Sequence, residues 1–243
     1  MVDKIEPKIR EQKVRNHGME CPLHPTQVLT YFILGFDILS YYFIDMVSLA
    51  HNLPLIIACG AVYFICCVAT VYYGFHATRI SPTDPTISLE ARCKKHVLVF
   101  DSSNYEYHCS ICKSHVLSGS KHCGQCNRCT SGFDHHCQYL NNCIGDQNYD
   151  HFFKLIVWVF WMCLIHNVTN GFVIYDIYAS SKELVQMHIK FYDTAYDFKN
   201  LFKITLIVMC VFNSCALLFL TKLIIFHIEL KYKGLTTYEY LKL

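Results

Sequence analysis

Four apolar runs dominate the chain, at about 28–47, 53–75, 152–176 and 203–227. Each approaches the roughly 20 residues that an α-helix needs to cross the hydrocarbon core of a bilayer. Inside that core a helix satisfies every backbone N–H and C=O within its own segment. The runs therefore predict an all-α polytopic membrane protein with four transmembrane helices. Composition agrees, because only 16% of residues are charged, against about 25% in an ordinary soluble domain. The second and fourth runs are the clearest. The first carries Asp37 and Asp45, and the third His166, Asn167 and Asn170. These two are expected to turn a polar face toward neighbouring helices, since an ionisable group facing lipid is costly.

Lysine and arginine outside the runs set the orientation. Five precede the first run, none lie between the first and second, seven fall from Ala77 to His151, and three from Tyr178 to Asn200. The positive-inside bias puts both termini and the long central loop in the cytosol. The first 27 residues hold no apolar core of the kind a cleavable signal peptide needs, so the N-terminus is expected to be retained. The sequon Asn167-Val168-Thr169 falls inside a run and is read as accidental. A net charge of +2 with no basic stripe gives no support to nucleic acid as a partner. The expected organisation is a cytosolic N-terminal segment (1–27), helices one and two (28–76), a cytosolic loop domain (77–151), helices three and four (152–227) and a cytosolic C-terminal segment (228–243).

The loop opens on RISPTDP, whose Pro82 and Pro85 are expected to stop the preceding helix and set turns. The β-rich stretch His96–Phe100 is expected to form one edge of a small hairpin. No internal repeat is evident.

Seven of the 15 cysteines lie between residues 109 and 143, among closely spaced histidines. In a reducing compartment that density points to metal rather than disulfides. Cys109 and Cys112 form one Cys-x2-Cys, Cys123 and Cys126 a second, and Cys129, Cys137 and Cys143 follow. Such a pair chelates from one tight turn, and tetrahedral structural zinc wants four sulfur or nitrogen ligands. Two pairs imply two zincs. If each uses three cysteines and one histidine, six cysteines are consumed and one thiol is left over. Spacing alone does not say which. If Asp134-His135-His136-Cys137 runs extended, His135 and Cys137 share one face and His136 takes the other. His136 would then face a zinc, while His135 and Cys137 would meet as base and thiol, the pairing that activates cysteine nucleophiles. The alternatives are that Cys137 is itself a ligand, or that every cysteine serves structure. An Asp134–His135 contact would need a bend in the strand. His108 and His115 are read as solvated, or as packed behind the ligands.

The run Cys109-x2-Cys112-x9-His122-Cys123-x2-Cys126-x2-Cys129-x4-Asp134-His135-His136-Cys137-x5-Cys143 resembles the cysteine-rich domain of the DHHC protein S-acyltransferases, or palmitoyltransferases. Asn141-Asn142-Cys143-Ile144-Gly145, Asn148-Tyr149-x2-Phe152 and Thr236-Thr237-Tyr238-Glu239, which resembles the family's TTxE motif, extend the likeness over nearly the whole chain. The resemblance implies short β-hairpins around two structural zinc ions. One zinc would be held by Cys109, Cys112, His122 and Cys129, and the other by Cys123, Cys126, His136 and Cys143. It also implies a fatty acyl group, palmitoyl above all, carried from acyl-coenzyme A to Cys137 and then to cysteines of membrane-proximal target proteins. His135 would be the base and Asp134 its orienting carboxylate. Lys121 and Arg128 are expected near the coenzyme's phosphates, and the protein in an endomembrane (Golgi or ER) or the plasma membrane.

Three departures stand out. Gln138-Tyr139 replaces the family's usual Pro-Trp, and Asp84-Pro85-Thr86 its Asp-Pro-Gly. The sequence ends four residues past Glu239, where many members place a further helix; that helix is expected either to be missing, which would weaken activity, or to lie outside this sequence. The rival readings are a catalytically inactive, membrane-anchored zinc adaptor and a RING-like ligase, the latter lacking a further Cys-x2-Cys after Cys143.

Overall fold

A computed structural model describes residues 13–49, 53–179 and 196–243, with side chains described outside 176–200 and 202. Four helices in it are long and apolar enough to cross a membrane: Pro25–Ser48, Leu53–Arg79, Tyr149–Tyr175 and Lys203–Lys233. Mean hydropathy is 2.3 for the second and fourth and 1.4 and 1.6 for the first and third, so the polar residues of the first and third spans register as expected. The chain is an integral membrane protein.

The first span begins at α1 (Pro25–Ser40), where His24 caps the helix and Pro25 takes its first turn. Proline suits that position because its missing N–H would have no partner there. A π-turn over Tyr41–Asp45 leads into α2 (Met46–Ser48). The second span is α3 (Leu53–Arg79), the third lies within α5 (Tyr149–Ala179) and the fourth within α6 (Tyr196–Lys233). α5 packs against both α3 and α6. Gly234, at φ 65, ends α6 with a Leu235 N–H bond to the Leu230 carbonyl, and a capping box of Thr236 and Glu239 starts α7 (Thr237–Tyr240).

Asp37 and Asp45 of the first span and His166 of the third meet at one buried point, whereas Asn167 and Asn170 donate to Ser214 Oγ and the Leu206 carbonyl of the fourth span. His166 Nδ1 lies 2.8 Å from Asp37 Oδ1, and its Nε2 3.1 Å from Asp45 Oδ2. Tyr63 of the second span donates to Asp37 Oδ2 at 2.9 Å, and Asn213 of the fourth to Asp37 Oδ1 at 3.2 Å. All four spans thus contribute to one polar cluster, which removes each group from lipid as the cost of burial requires. The π-turn separates the two aspartates in sequence yet leaves both facing the same imidazole, a use of extra helical residues common at functional positions.

The loop between the second and third spans differs from expectation in two places. Pro85 does not merely set a turn: it opens α4 (Pro85–Lys95), with Asp84 as its cap. Asp84 is fully buried, accepting Thr86 N–H at Oδ1 (2.8 Å), and Leu117 N–H (2.8 Å) and Ser120 Oγ (2.5 Å) at Oδ2. One carboxylate therefore ties α4 to the next hairpin, and Thr86 in place of glycine sits comfortably in the first helical turn. His96–Phe100 is not a strand. Its turn closes α4, with Leu98 N–H bonded to the Cys93 carbonyl and Val97 at φ 55. Three two-stranded antiparallel hairpins follow: β1 (Tyr107–Cys109) with β2 (Ser114–Val116), β3 (Lys121–Cys123) with β4 (Arg128–Thr130), and β5 (His135–Cys137) with β6 (Asn142–Ile144).

Candidate zinc sites and nucleophile

The three hairpins are copies of one unit. Cys109, Cys123 and Cys137 each end a first strand, at intervals of 14 residues (123 − 109 and 137 − 123). Four residues past each stands a residue in the left-handed region, Lys113, Asn127 and Asn141, all at φ 51. One residue before each cysteine a histidine pairs across the hairpin, giving His108 with His115, His122 with Cys129 and His136 with Cys143. In the sequence the repeat shows only as a His-Cys dipeptide every 14 residues, too short a signature to stand out among so many cysteines and histidines. What recurs is backbone conformation.

Among the described residues two groups bring ligand atoms within 4.8 Å of one another: Cys109, Cys112, His122, Cys129, and Cys123, Cys126, His136, Cys143. Each joins the Cys-x2-Cys of one hairpin to the cross-strand pair of the next. In the first, His122 Nδ1 lies 3.8, 3.3 and 3.9 Å from the sulfurs of Cys109, Cys112 and Cys129. In the second, His136 Nδ1 lies 3.7, 3.4 and 3.7 Å from those of Cys123, Cys126 and Cys143. A tetrahedron with zinc–sulfur bonds of about 2.3 Å has edges of about 3.8 Å. Three sulfurs and one nitrogen at these separations fit zinc closely, with no fourth position open.

The third hairpin breaks the pattern. Leu140 stands where Cys112 and Cys126 stand in the other two, and after β6 the chain passes into α5. Cys137 is therefore left outside both clusters. It is buried with Leu140 and Ile144 in an apolar cluster that continues through Ala77, Phe152, Ile156, Cys163 and Leu220. The same replacement that deprives Cys137 of a metal turns its hairpin toward the membrane helices. Phe160 packs on that cluster, whereas Trp161 is 47% exposed.

His135 and Cys137, two apart on β5, share a face, and His136 takes the other, as alternation requires. Asp134 precedes the strand and so escapes the alternation; its Oδ2 meets His135 Nδ1 at 2.6 Å. Its other oxygen accepts the Thr237 N–H at 2.8 Å, so the TTxE-like segment reaches back to the site. Burial would push the Asp134 carboxyl up, but the bonds from His135 and Thr237 hold it below the ordinary aspartate value. For His135, burial pulls the imidazole down. The bond to Asp134 and the neighbouring Cys137 thiol outweigh it and raise the group to about 9. Phe152 and His227, with ring centres 5.2 and 6.2 Å away, wall the imidazole in, and Tyr149 Oη lies 3.0 Å from His227 Nδ1. His227 carries no motif in the sequence, and only the packing of α6 on α5 brings it here.

The expected basic contacts divide. Lys121 Nζ lies 5.9 Å from the ring centre of Tyr238, and Lys242 Nζ covers the same ring at 4.6 Å, both on the α7 side of Asp134. Arg128 lies inside the loop. It is 2% exposed, and its guanidinium donates to the Asn16 carbonyl, Ser81 Oγ, Thr83 Oγ1 and Asn142 Oδ1. Both terminal nitrogens of the guanidinium are held by these internal acceptors, so the side chain braces the loop. His108 is exposed, and half-buried His115 packs against the rings of Phe100 and His108 with its backbone N–H bonded to Glu90 at 2.8 Å.

A family model described as DHHC palmitoyltransferase matches residues 102–243. Two curated Homo sapiens proteins, "Probable palmitoyltransferase ZDHHC11B" and "Palmitoyltransferase ZDHHC11", are each 31% identical over 93% of this chain. The chain spans 66% and 59% of their lengths. "Probable protein S-acyltransferase 20" of Arabidopsis thaliana is 31% identical over 54% of the chain and 19% of its own length. With four spans, interleaved Cys3His clusters and a matching family model over more than half its length, the chain belongs to the DHHC palmitoyltransferase family.

Proposed function

We propose that the protein is a protein-cysteine S-palmitoyltransferase that works through an acyl-Cys137 intermediate. The observation that carries this reading is the exclusion of Cys137, alone among the seven cysteines from 109 to 143, from both metal-fitting clusters, while it shares a strand face with a histidine bonded to a carboxylate. His135 takes the thiol proton, and Asp134 holds the imidazole in the useful tautomer and stabilises its cation, as in acid–base–nucleophile triads generally. The Cys137 sulfur attacks the thioester carbonyl of acyl-coenzyme A; a new C–S bond forms, the bond to the coenzyme's sulfur breaks, and His135 returns its proton to the leaving thiolate. In the second half an acceptor cysteine gives its proton to His135, attacks the acyl-Cys137 carbonyl and frees the Cys137 thiol. Thioester is exchanged for thioester, so the task is activation and alignment.

The apolar cluster beneath Cys137 favours a fatty chain, because each CH2 withdrawn from water contributes about 0.8 kcal/mol. Lys121 offers positive charge to the coenzyme's phosphates, joined by Lys242 in place of Arg128. Cys109, Cys112, His122 and Cys129 hold one zinc, and Cys123, Cys126, His136 and Cys143 the other; both stabilise the loop fold. The loop and both termini face the cytosol, which is where the coenzyme and reduced thiols are found.

The test is incubation of purified protein with labelled palmitoyl-coenzyme A. A hydroxylamine-sensitive adduct is expected, absent in Cys137→Ser with two zincs per chain retained. Loss of a zinc in that variant would make Cys137 a ligand and overturn the reading; a persistent adduct would move the nucleophile elsewhere.

A further inference from the structure

In the first two hairpins the turn after the leading cysteine is fixed through the clusters, because Cys112 and Cys126 lie in them. The third hairpin has Leu140 at that position, so the turn that follows the proposed nucleophile has no such anchor. It has another. The segment from Lys13 to Gln27, which no motif marks, runs across it. Gly18 is buried between Leu140 and Thr78, and its N–H bonds to the Thr78 carbonyl at 2.8 Å. Asn141, the left-handed residue of the turn, donates through Nδ2 to the carbonyls of Gly18 (3.3 Å) and Pro22 (3.4 Å). Thr26 Oγ1 donates to the carbonyl of Gln138, the residue next to Cys137, at 3.1 Å.

The strap is itself secured near its start and by bonds within it. Arg15 N–H bonds to the carbonyl of Cys126 at 2.9 Å, and Arg128 reaches the carbonyl of Asn16 at 2.6 Å. The Arg15 guanidinium folds back onto the carbonyls of Glu20 (2.5 Å) and Pro22 (3.0 Å), closing the segment into a compact loop. Fully buried Gln27 donates to the Gly18 carbonyl at 3.1 Å. The fit against the turn is close enough to demand glycine: a Cβ at Gly18 would lie 1.9 Å from the Leu140 carbonyl oxygen and 2.8 Å from Thr78 Cγ2.

We infer that this N-terminal strap does for the third hairpin what metal-fitting cysteines do for the other two, and that Gly18 and Thr26 are positioning residues for Cys137. The inference deepens the acyl-transfer reading and rests on it for its kinetic part. A turn held at Gln138, Leu140 and Asn141 leaves the preceding strand residue, Cys137, a fixed distance from His135. Loosening it costs rate rather than substrate affinity, since small displacements of a reacting group are expensive. It also gives the Gln138-Tyr139 departure a physical account. The turn is braced from outside through its backbone carbonyls, so side chains at 138 and 139 are free to vary, and Tyr139 is 57% exposed.

The test uses the full chain and three substitutions. Thr26→Val removes the bond to Gln138 together with the 2.7 Å contact of the same hydroxyl with His24 Nδ1, Thr26→Ser keeps both, and Gly18→Ala forces the strap off the turn. Thr26→Val is expected to slow the acyl adduct at saturating palmitoyl-coenzyme A by about three- to tenfold and Gly18→Ala by about tenfold or more, with half-saturation unchanged. Thr26→Ser should match the wild type, and zinc should stay at two per chain. Backbone amides of residues 138–141 should exchange with deuterium faster in Thr26→Val. A Thr26→Val protein with wild-type rate and wild-type exchange overturns the inference, as does Thr26→Ser behaving like Thr26→Val. If Gly18→Ala loses zinc, the Thr26 pair alone decides. If even the wild type forms no adduct, the acyl-transfer reading fails, and exchange judges the strap separately: faster exchange in Thr26→Val upholds it and unchanged exchange removes it.

Discussion

Thr237 offers an unusually clean way to weaken the proposed catalytic carboxylate, Asp134, without touching it. Its N–H donates to Asp134 Oδ1 at 2.8 Å, while the other carboxylate oxygen holds His135 at 2.6 Å. Thr237 is the first residue of α7, the position where proline is best tolerated because the N–H has no helical partner. The preceding residue, Thr236, is already extended, at φ −81 and ψ 160, as a residue before proline must be. Thr237→Pro should therefore keep the short helix and delete one charge-assisted hydrogen bond. Bonds of that kind contribute about 1.5–3 kcal/mol. If the whole of that is lost in the transition state, adduct formation slows by about 10- to 150-fold, at 1.36 kcal/mol per tenfold. Thr237→Ala retains the N–H and serves as the reference, expected within about threefold of the wild type. The assay is the initial rate of labelled acyl adduct formation, with zinc measured in parallel; α7 lies outside both clusters, so zinc should not change. Equal rates for the proline and alanine variants would refute the claim that the TTxE-like segment acts on Asp134 through this amide.

Two further outcomes follow from the division of labour among histidines. His136→Ala should release zinc from the second cluster and destabilise the loop, whereas His135→Ala should keep both zincs and slow adduct formation; equal zinc content in the two variants would remove the distinction. In the membrane, His166→Ala leaves Asp37 and Asp45 buried at 3% and 1% exposure without their shared imidazole. Breaking a buried pair costs about 3–5 kcal/mol, so the thermal midpoint in detergent should drop sharply and recover in part when Asp37→Asn and Asp45→Asn are added. A midpoint equal to the wild type would show that the cluster does not hold the spans together.

Much of the loop's zinc chemistry is legible in the sequence because it depends on local spacing. A Cys-x2-Cys presents two sulfurs from one turn whatever surrounds it, and alternation along Asp134–Cys137 by itself puts His135 and Cys137 on one face. Counting ligands leaves one spare thiol, although spacing cannot say which. The Asp134–His135 contact is not legible in the same way, because the sequence does not show that β5 starts one residue later. Nor does the sequence show the surroundings of Arg128. Its burial depends on acceptors 14 to 112 residues away in the chain, which bond both terminal nitrogens of the guanidinium.

The sequence by itself determined that the chain spans a membrane four times, that its first and third spans must hide their polar residues, and that cysteines and histidines between the second and third spans are arranged for metal. These follow from period, length and composition, which act over a few turns of chain. Cysteine spacing left open which thiol lies outside the clusters, and beyond the family resemblance it is the tertiary structure that leaves out Cys137, because that depends on how each hairpin's cysteine pair meets the cross-strand pair of the next. It alone joined Asp37 and Asp45 to His166, laid the N-terminal strap across the turn after Cys137, and brought Thr237 to Asp134. Those contacts link residues roughly 100 or more positions apart, and close packing rather than any local preference selects them.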